Sequence, residues 1–163
     1  MKTRSICLCC LLLSVAANAA VIHIQPNGLG DQPTIQAAIN AAAPGDTVML
    51  RDGIFRGNGN RDVNPFGKNV TVMAESPDAY RCILDCYDIS GIAHRAFIFE
   101  SGEDTTFVLS GLTITNGRAD YGGAIIARQG SGPMINNCFF ENNTADINGG
   151  AIAAVGSHSF FIL

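Results

Sequence analysis

FFENNTADINGGAI, residues 139–152, decides how this chain is read. Its last four residues, Gly149-Gly150-Ala151-Ile152, repeat Gly122-Gly123-Ala124-Ile125. Around that repeat a wider self-similarity opens. Slid against itself until Leu109 meets Ile135, the chain also brings Leu112 onto Cys138, Ile114 onto Phe140, Asn116 onto Asn142 and Asp120 onto Asp146. One extra residue enters before the second Gly-Gly, and the first offset is restored where Gly130 meets Gly156. A period of this length marks a solenoid, in which no turn buries its own apolar side and stacked neighbours complete the core.

The turn chemistry selects the solenoid. A leucine-rich repeat needs L-x-x-L-x-L-x-x-N, and Ile135, Cys138, Phe140 and Asn143 fit that skeleton. Leucine is scarce, however, and the segment after Asn143 is rich in Gly and Asn with no helical pattern. Asn tolerates left-handed backbone and bonds neighbouring main chain. Gly-Gly supplies a corner where a Cβ would clash. Gly122, Gly123, Asn143, Gly149 and Gly150 are therefore read as turn and repeat residues of a parallel β-helix.

The rest of the chain agrees. From Asp46 onward short apolar runs such as Thr47–Leu50, Asn69–Met73, Ala96–Phe99, Leu112–Thr115 and Ala151–Ala154 are bounded by Gly, Asn, Asp or Pro, as strands are. One helix is predicted over Pro33–Ala43, with Ile35, Ala38, Ile39 and Ala42 as its apolar stripe and Pro44-Gly45 as its stop. The expected fold is all-β: a right-handed, single-stranded parallel β-helix with about 26–27 residues per coil and one N-terminal capping helix.

The N-terminus reads as a leader. A basic start, Met1-Lys2-Thr3-Arg4, precedes an apolar or small run to Ala16, and Ala17-Asn18-Ala19 is a small-x-small cleavage site. The run is short of the roughly 20 apolar residues of a spanning helix, and nothing later is long enough to span. The expected organisation is a signal peptide over 1–19, a strand and capping helix over 20–45, and coils over 46–163. The last residues, Ser159 to Leu163, fall in register with the first strand of another coil. That predicts a truncated member of a longer β-helix protein, or a partner over the open end, since uncapped coils expose backbone edges.

Lys2 and Arg4 leave with the leader, so 8 Lys+Arg remain against 14 Asp+Glu, a balance of −6. An acidic surface argues against nucleic acid, whose phosphates need a basic patch. Cys82, Cys86 and Cys138 also remain, and an odd number leaves at least one thiol over. In a straight strand Cys82 and Cys86 would stand about 13 Å apart, so they bridge only if the chain turns between them. Burial as small hydrophobes is the other reading.

Phe140-Glu141-Asn142-Asn143-Thr144-Ala145 followed by Gly149-Gly150-Ala151-Ile152 resembles the FxxN and GGAI motifs of polymorphic outer-membrane protein repeats, which are β-helical passenger domains of surface proteins. Thr34-Ile35-Gln36-Ala37-Ala38-Ile39 with Pro44-Gly45-Asp46-Thr47-Val48 is similar to the opening of secreted pectin-lyase-like proteins, where a helix caps the first coil. The resemblance implies a secreted or cell-surface location and a structural or adhesive role toward a polysaccharide or cell-surface ligand. It also implies an alternative, the N-terminal part of a carbohydrate-active enzyme. Such enzymes work with clustered carboxylates, often with Ca²⁺.

Under that alternative the weak catalytic candidates are Asp85, Asp88 and Arg95. Asp85 and Asp88 could hold a hard cation, and Arg95 could meet a uronate carboxylate bidentately. A polar turn between coils explains the same residues. Glu100, Glu103 and Asp104 read as a solvated acidic loop, and His23, His94 and His158 as isolated surface or corner residues. No cofactor motif appears in the sequence.

Overall fold

The structure of the protein, a computed structural model, describes residues 18–156. The leader as far as residue 17, and the final run from Ser157 with His158, lie outside the described residues. The described chain is a parallel β-solenoid of about 5 turns with one α-helix.

Every strand pairs in parallel with its counterpart one coil on. The first sheet stacks β1 (Val21–Ile24), β2 (Thr47–Leu50), β4 (Thr71–Ala74), β7 (Val108–Ser110) and β11 (Met134–Asn136). The second stacks β3 (Gly53–Arg56), β5 (Cys82–Asp85), β8 (Thr113–Thr115) and β12 (Phe139–Glu141). The third stacks β6 (Phe97–Phe99), β10 (Ile125–Arg128) and β14 (Ile152–Val155), and the fourth pairs β9 (Arg118–Tyr121) with β13 (Thr144–Asn148).

Side chains alternate across each strand, so one ladder per sheet points inward. In the first sheet it runs Val48, Val72, Leu109, Ile135. In the second it runs Phe55, Leu84, Ile114, Phe140. In the third, Phe97, Ile125 and Ile152 share a rung. Phe99 and Phe107 meet edge-to-face at 4.9 Å and close the interior between the first and third sheets.

The predicted period holds at the first rung, where Val21 pairs with Thr47, and again late in the chain. There Val108 pairs with Met134 and Ile125 with Ile152, the two offsets read from the repeat. The rungs of the first sheet in between depart from it. Thr47 pairs with Thr71, a shorter coil, and Thr71 with Val108, a much longer one. The extra residue before the second Gly-Gly is a β-bulge between Ala145 and Asn148, opposite Ala119 and Tyr121. A bulge accommodates one added residue without breaking register beyond it.

The helix α1 covers Ile35–Ala41, shorter than expected, because Thr34 is its N-cap and Pro33 stands outside. Thr34 Oγ1 accepts from the Ala37 N–H at 3.2 Å, and Asn60 Oδ1 accepts from the Ile35 N–H at 3.0 Å. At the other end Lys68 Nζ donates to the carbonyls of Ile39, Asn40 and Ala42 at 3.0, 2.7 and 3.0 Å. So short a helix is marginal in isolation. These caps, with Ile35, Ala38 and Ile39 buried against the first coils, hold it in place.

The GGAI repeat is a corner that leads into the third sheet. Gly122 has φ +59 and a Cβ there would lie 2.0 Å from the Ile125 carbonyl oxygen. At Gly123 a Cβ would lie 2.2 Å from the oxygen of Gly150 and 2.5 Å from that of Thr144, both on the next coil. The first glycine turns the chain and the second lets the following coil approach.

The asparagines divide the other corner between them. Asn116 and Asn142 stack in left-handed conformation at φ 58 and 54. Asn143 instead reaches back one coil: its Oδ1 accepts from the Gly117 N–H and its Nδ2 donates to the Ile114 carbonyl, both at 2.8 Å. It satisfies a donor and an acceptor where β8 ends.

Candidate functional site

The predicted acidic and basic candidates lie on one lateral side of the solenoid, around the corner after β5. They do not converge on one point. Asp85 ends β5 with its side chain buried. Its Oδ2 accepts from Arg56 Nε at 2.8 Å and Nη2 at 2.7 Å, and its Oδ1 accepts from Asn116 Nδ2 at 2.9 Å and the Tyr87 N–H at 3.0 Å. Burial pushes its pKa up, but Asn116, Tyr87 and Arg56 outweigh it and the net displacement is downward. Asp85 thus ties β3, β5 and the corner after β8 together.

Asp88 lies in the loop beyond. It accepts from the Ser90 hydroxyl and N–H at 2.5 and 2.7 Å, and pairs with Arg61. The Ser90 bonds, with Arg61, hold its carboxyl well below the usual range. Arg61 also donates to the Tyr87 carbonyl at 2.9 Å, while its buried Nε has no hydrogen-bond partner.

His94 is not isolated, contrary to expectation. Its ring stands between two carboxylates, with Nδ1 on Asp62 Oδ2 and Nε2 3.2 Å from Asp88 Oδ2. Asp62, at φ 51, also accepts from the Arg95 N–H at 3.0 Å. Arg95 turns away from this group and donates to the Tyr121 carbonyl at 2.7 Å. A depression of about 180 Å³ lies beside the cluster, lined by Tyr87, Asp88, Ile92, His94, Asn116 and Arg118. No group of three or more His, Cys, Asp or Glu among the described residues is disposed to hold a metal ion.

The second acidic group is also divided. Glu103, expected in a solvated loop, is fully buried. Its carboxylate accepts from the Gly67 N–H at 2.9 Å, the Ser101 N–H at 3.0 Å and Ser131 Oγ at 2.8 Å, stitching three successive coils. Glu100 pairs with Arg128, and Asp104 caps its own turn through Thr106.

Most ion pairs here share one geometry. Arg51–Glu75, Arg56–Asp85, Arg61–Asp88, Arg81–Asp52, Arg118–Asp146 and Arg128–Glu100 each join neighbouring coils. Charge is used along the stacking axis, as fasteners between turns. Sequence reasoning missed Arg61 and Asp62, and misplaced Glu103. Their only signal is a separation near one coil length from a partner, and coils of unequal length blur it.

Among the described residues Cys82, Cys86 and Cys138 are free. Cys82, Leu112 and Cys138 each stand one residue before a shared rung of the second sheet. The strand of Leu112 therefore lies between them, and the backbones of Cys82 and Cys138 stand two strand spacings apart, about 9.5 Å, beyond bridging distance. Burial pushes the Cys82 and Cys86 thiols up to about 12. Among the described residues no helix is long and apolar enough to cross a membrane. No protein-family model, curated protein or solved structure matches the chain.

Proposed function

We propose that the protein is a secreted or surface-exposed β-helix segment with a structural or adhesive role and no catalysis of its own. The observation that supports this reading is the use of its charges. Arg56, Arg61, Asp85 and Asp88 are consumed in pairs between coils, and Arg95 is bonded to a main-chain carbonyl. General acid–base work needs a group free to exchange a proton with a bound substrate. A scaffold needs its charges fastened to one another.

One observation favours the enzyme alternative. The Asp62–His94–Asp88 alignment with Arg61 borders a depression on the lateral side. A carbohydrate-active enzyme would use such a group, and Ca²⁺ belongs to the proposal only in that case. The test is a screen of acidic and neutral polysaccharides for cleavage, with and without Ca²⁺, beside binding to the same glycans. The structural reading expects no turnover in any arm. Turnover that is lost in His94→Gln, with the fold intact by circular dichroism, would replace it with the enzyme.

A further inference from the structure

We infer that removal of the leader after Ala19 creates an ion pair that only the processed protein has, between the new α-ammonium of Ala20 and the carboxylate of Asp46. This rests on the reading of residues 1–19 as a signal peptide, and adds to it what the new terminus does.

The geometry is already in place. Ala20 N donates to Asp46 Oδ1 at 2.8 Å, and Asp46 Oδ2 accepts from the Ala43 N–H at 2.8 Å. The Thr47 N–H donates to the Ala20 carbonyl at 2.9 Å, so Ala20 is held in register with the strand that follows Asp46. The Thr71 N–H donates to the Asp46 carbonyl at 3.0 Å, and Gly45 N donates to the Asn69 carbonyl at 2.7 Å. Asp46 therefore joins the entrance of β1, the end of α1 and the coil of β4. The N–H groups of Ala20 and Ala43 hold its carboxyl below the usual range, so it meets the terminus as an anion.

Asn18, Ala19 and Ala20 are exposed, as a peptidase requires of a scissile bond. Hydrolysis of the Ala19–Ala20 bond by the peptidase consumes one water. It leaves a carboxylate on Ala19 and an amine on Ala20, which takes up a proton near neutral pH. The donor at Asp46 then changes from a peptide N–H to an ammonium at the same position. Hydrogen bonds between ionised partners are about twice as strong as neutral ones. Lys68, which caps the same end of α1, has its ammonium bound to the carbonyls of Ile39, Asn40 and Ala42. Asp46 Oδ1 is engaged by the Ala20 nitrogen.

The full chain is expressed in a secreting host, and the N-terminus of the exported species is determined by intact mass and N-terminal sequencing. The expected first residue is Ala20. Two forms are then released by one site-specific protease, one starting at Ala20 and the other at Ala19. The Ala20 form is expected to have an unfolding equilibrium constant about fivefold smaller, from the gain of a charge-assisted bond. Asp46→Asn should abolish the difference. The Ala20 α-amine should also react several-fold more slowly with an acylating reagent than the Ala19 amine, a readout that needs no variant. An uncleaved chain, or another terminus, overturns the leader reading and the inference with it. An Ala20 terminus with equal stability and equal amine reactivity in both forms overturns the ion pair alone.

Discussion

Gly123→Ala tests the meaning of the GGAI repeat. The new Cβ would lie 2.2 Å from the Gly150 oxygen and 2.5 Å from the Thr144 oxygen, where contacts under 3.0 Å are essentially never seen. Both obstacles are main chain, so relief requires the two coils to part by about 1 Å. The three N–H groups of residues 122–124 donate across that seam: Gly122 N to Asn148 O at 3.0 Å, Gly123 N to Gly149 O at 3.2 Å and Ala124 N to Ala151 O at 2.8 Å. Lengthened by about 1 Å these contacts cease to be hydrogen bonds. At about 1 kcal/mol each, with about 1–3 kcal/mol for overpacking and a gain of about 0.5 kcal/mol from the stiffer unfolded chain, the net cost is about 3.5–5.5 kcal/mol. The matched control is Gly150→Ala, whose Cβ meets only the Asn143 oxygen at 3.3 Å among the described residues. It should cost less than about 1 kcal/mol, the range of a substitution without a clash. Urea unfolding gives both values, and hydrogen exchange of residues 144–155 shows whether the outer coil has loosened. A Gly123→Ala protein within about 0.5 kcal/mol of the parent, the range of an unobstructed surface change, with those amides still protected, would refute the close-approach argument. An equal, large cost at Gly150 would mean that another coil stacks on it.

Asp85→Ala should destabilise by about 2 kcal/mol in urea unfolding, because it strands Asn116 and the Tyr87 N–H while Arg56 is free to turn to water. The folded pKa values of Asp85 and Asp46 are depressed, so their stabilisation is present above the ordinary carboxylate pKa, near 4. It is lost as pH falls through the folded values, and thermal unfolding between about pH 5 and 2 should show that loss, flattened in Asp85→Asn. Lys68→Met should cost about 1–2 kcal/mol by uncovering three carbonyls at the end of α1, with exchange of the 35–42 amides as the local readout. Cys82 and Cys86 should resist a thiol reagent at pH 8 until urea opens the coils, and partly exposed Cys138 should react first.

The two glycines of GGAI, the stacked Asn116 and Asn142, and the ladders through Leu109–Ile135 and Ile114–Phe140 were legible without coordinates. So was the inserted residue that became the bulge after Ala145. Each is a local property: a left-handed corner, an alternation of buried and exposed positions, or a count of residues between corners. These fix a parallel solenoid. Strands such as Gly53–Arg56 and Cys82–Asp85 were missed because they lie in coils whose loops have no common length.

Which charges meet was decided by the tertiary structure alone. His94 reads as isolated in sequence and stands between Asp62 and Asp88, one from the preceding coil and one from its own loop. Glu103 reads as solvated and is sealed by Gly67, Ser101 and Ser131. A side chain's partner across coils depends on how much chain each loop takes up, and loop lengths carry no local signal of where they return. Backbone preference determined that the coils stack, and the closure of unequal loops determined which residues face one another when they do.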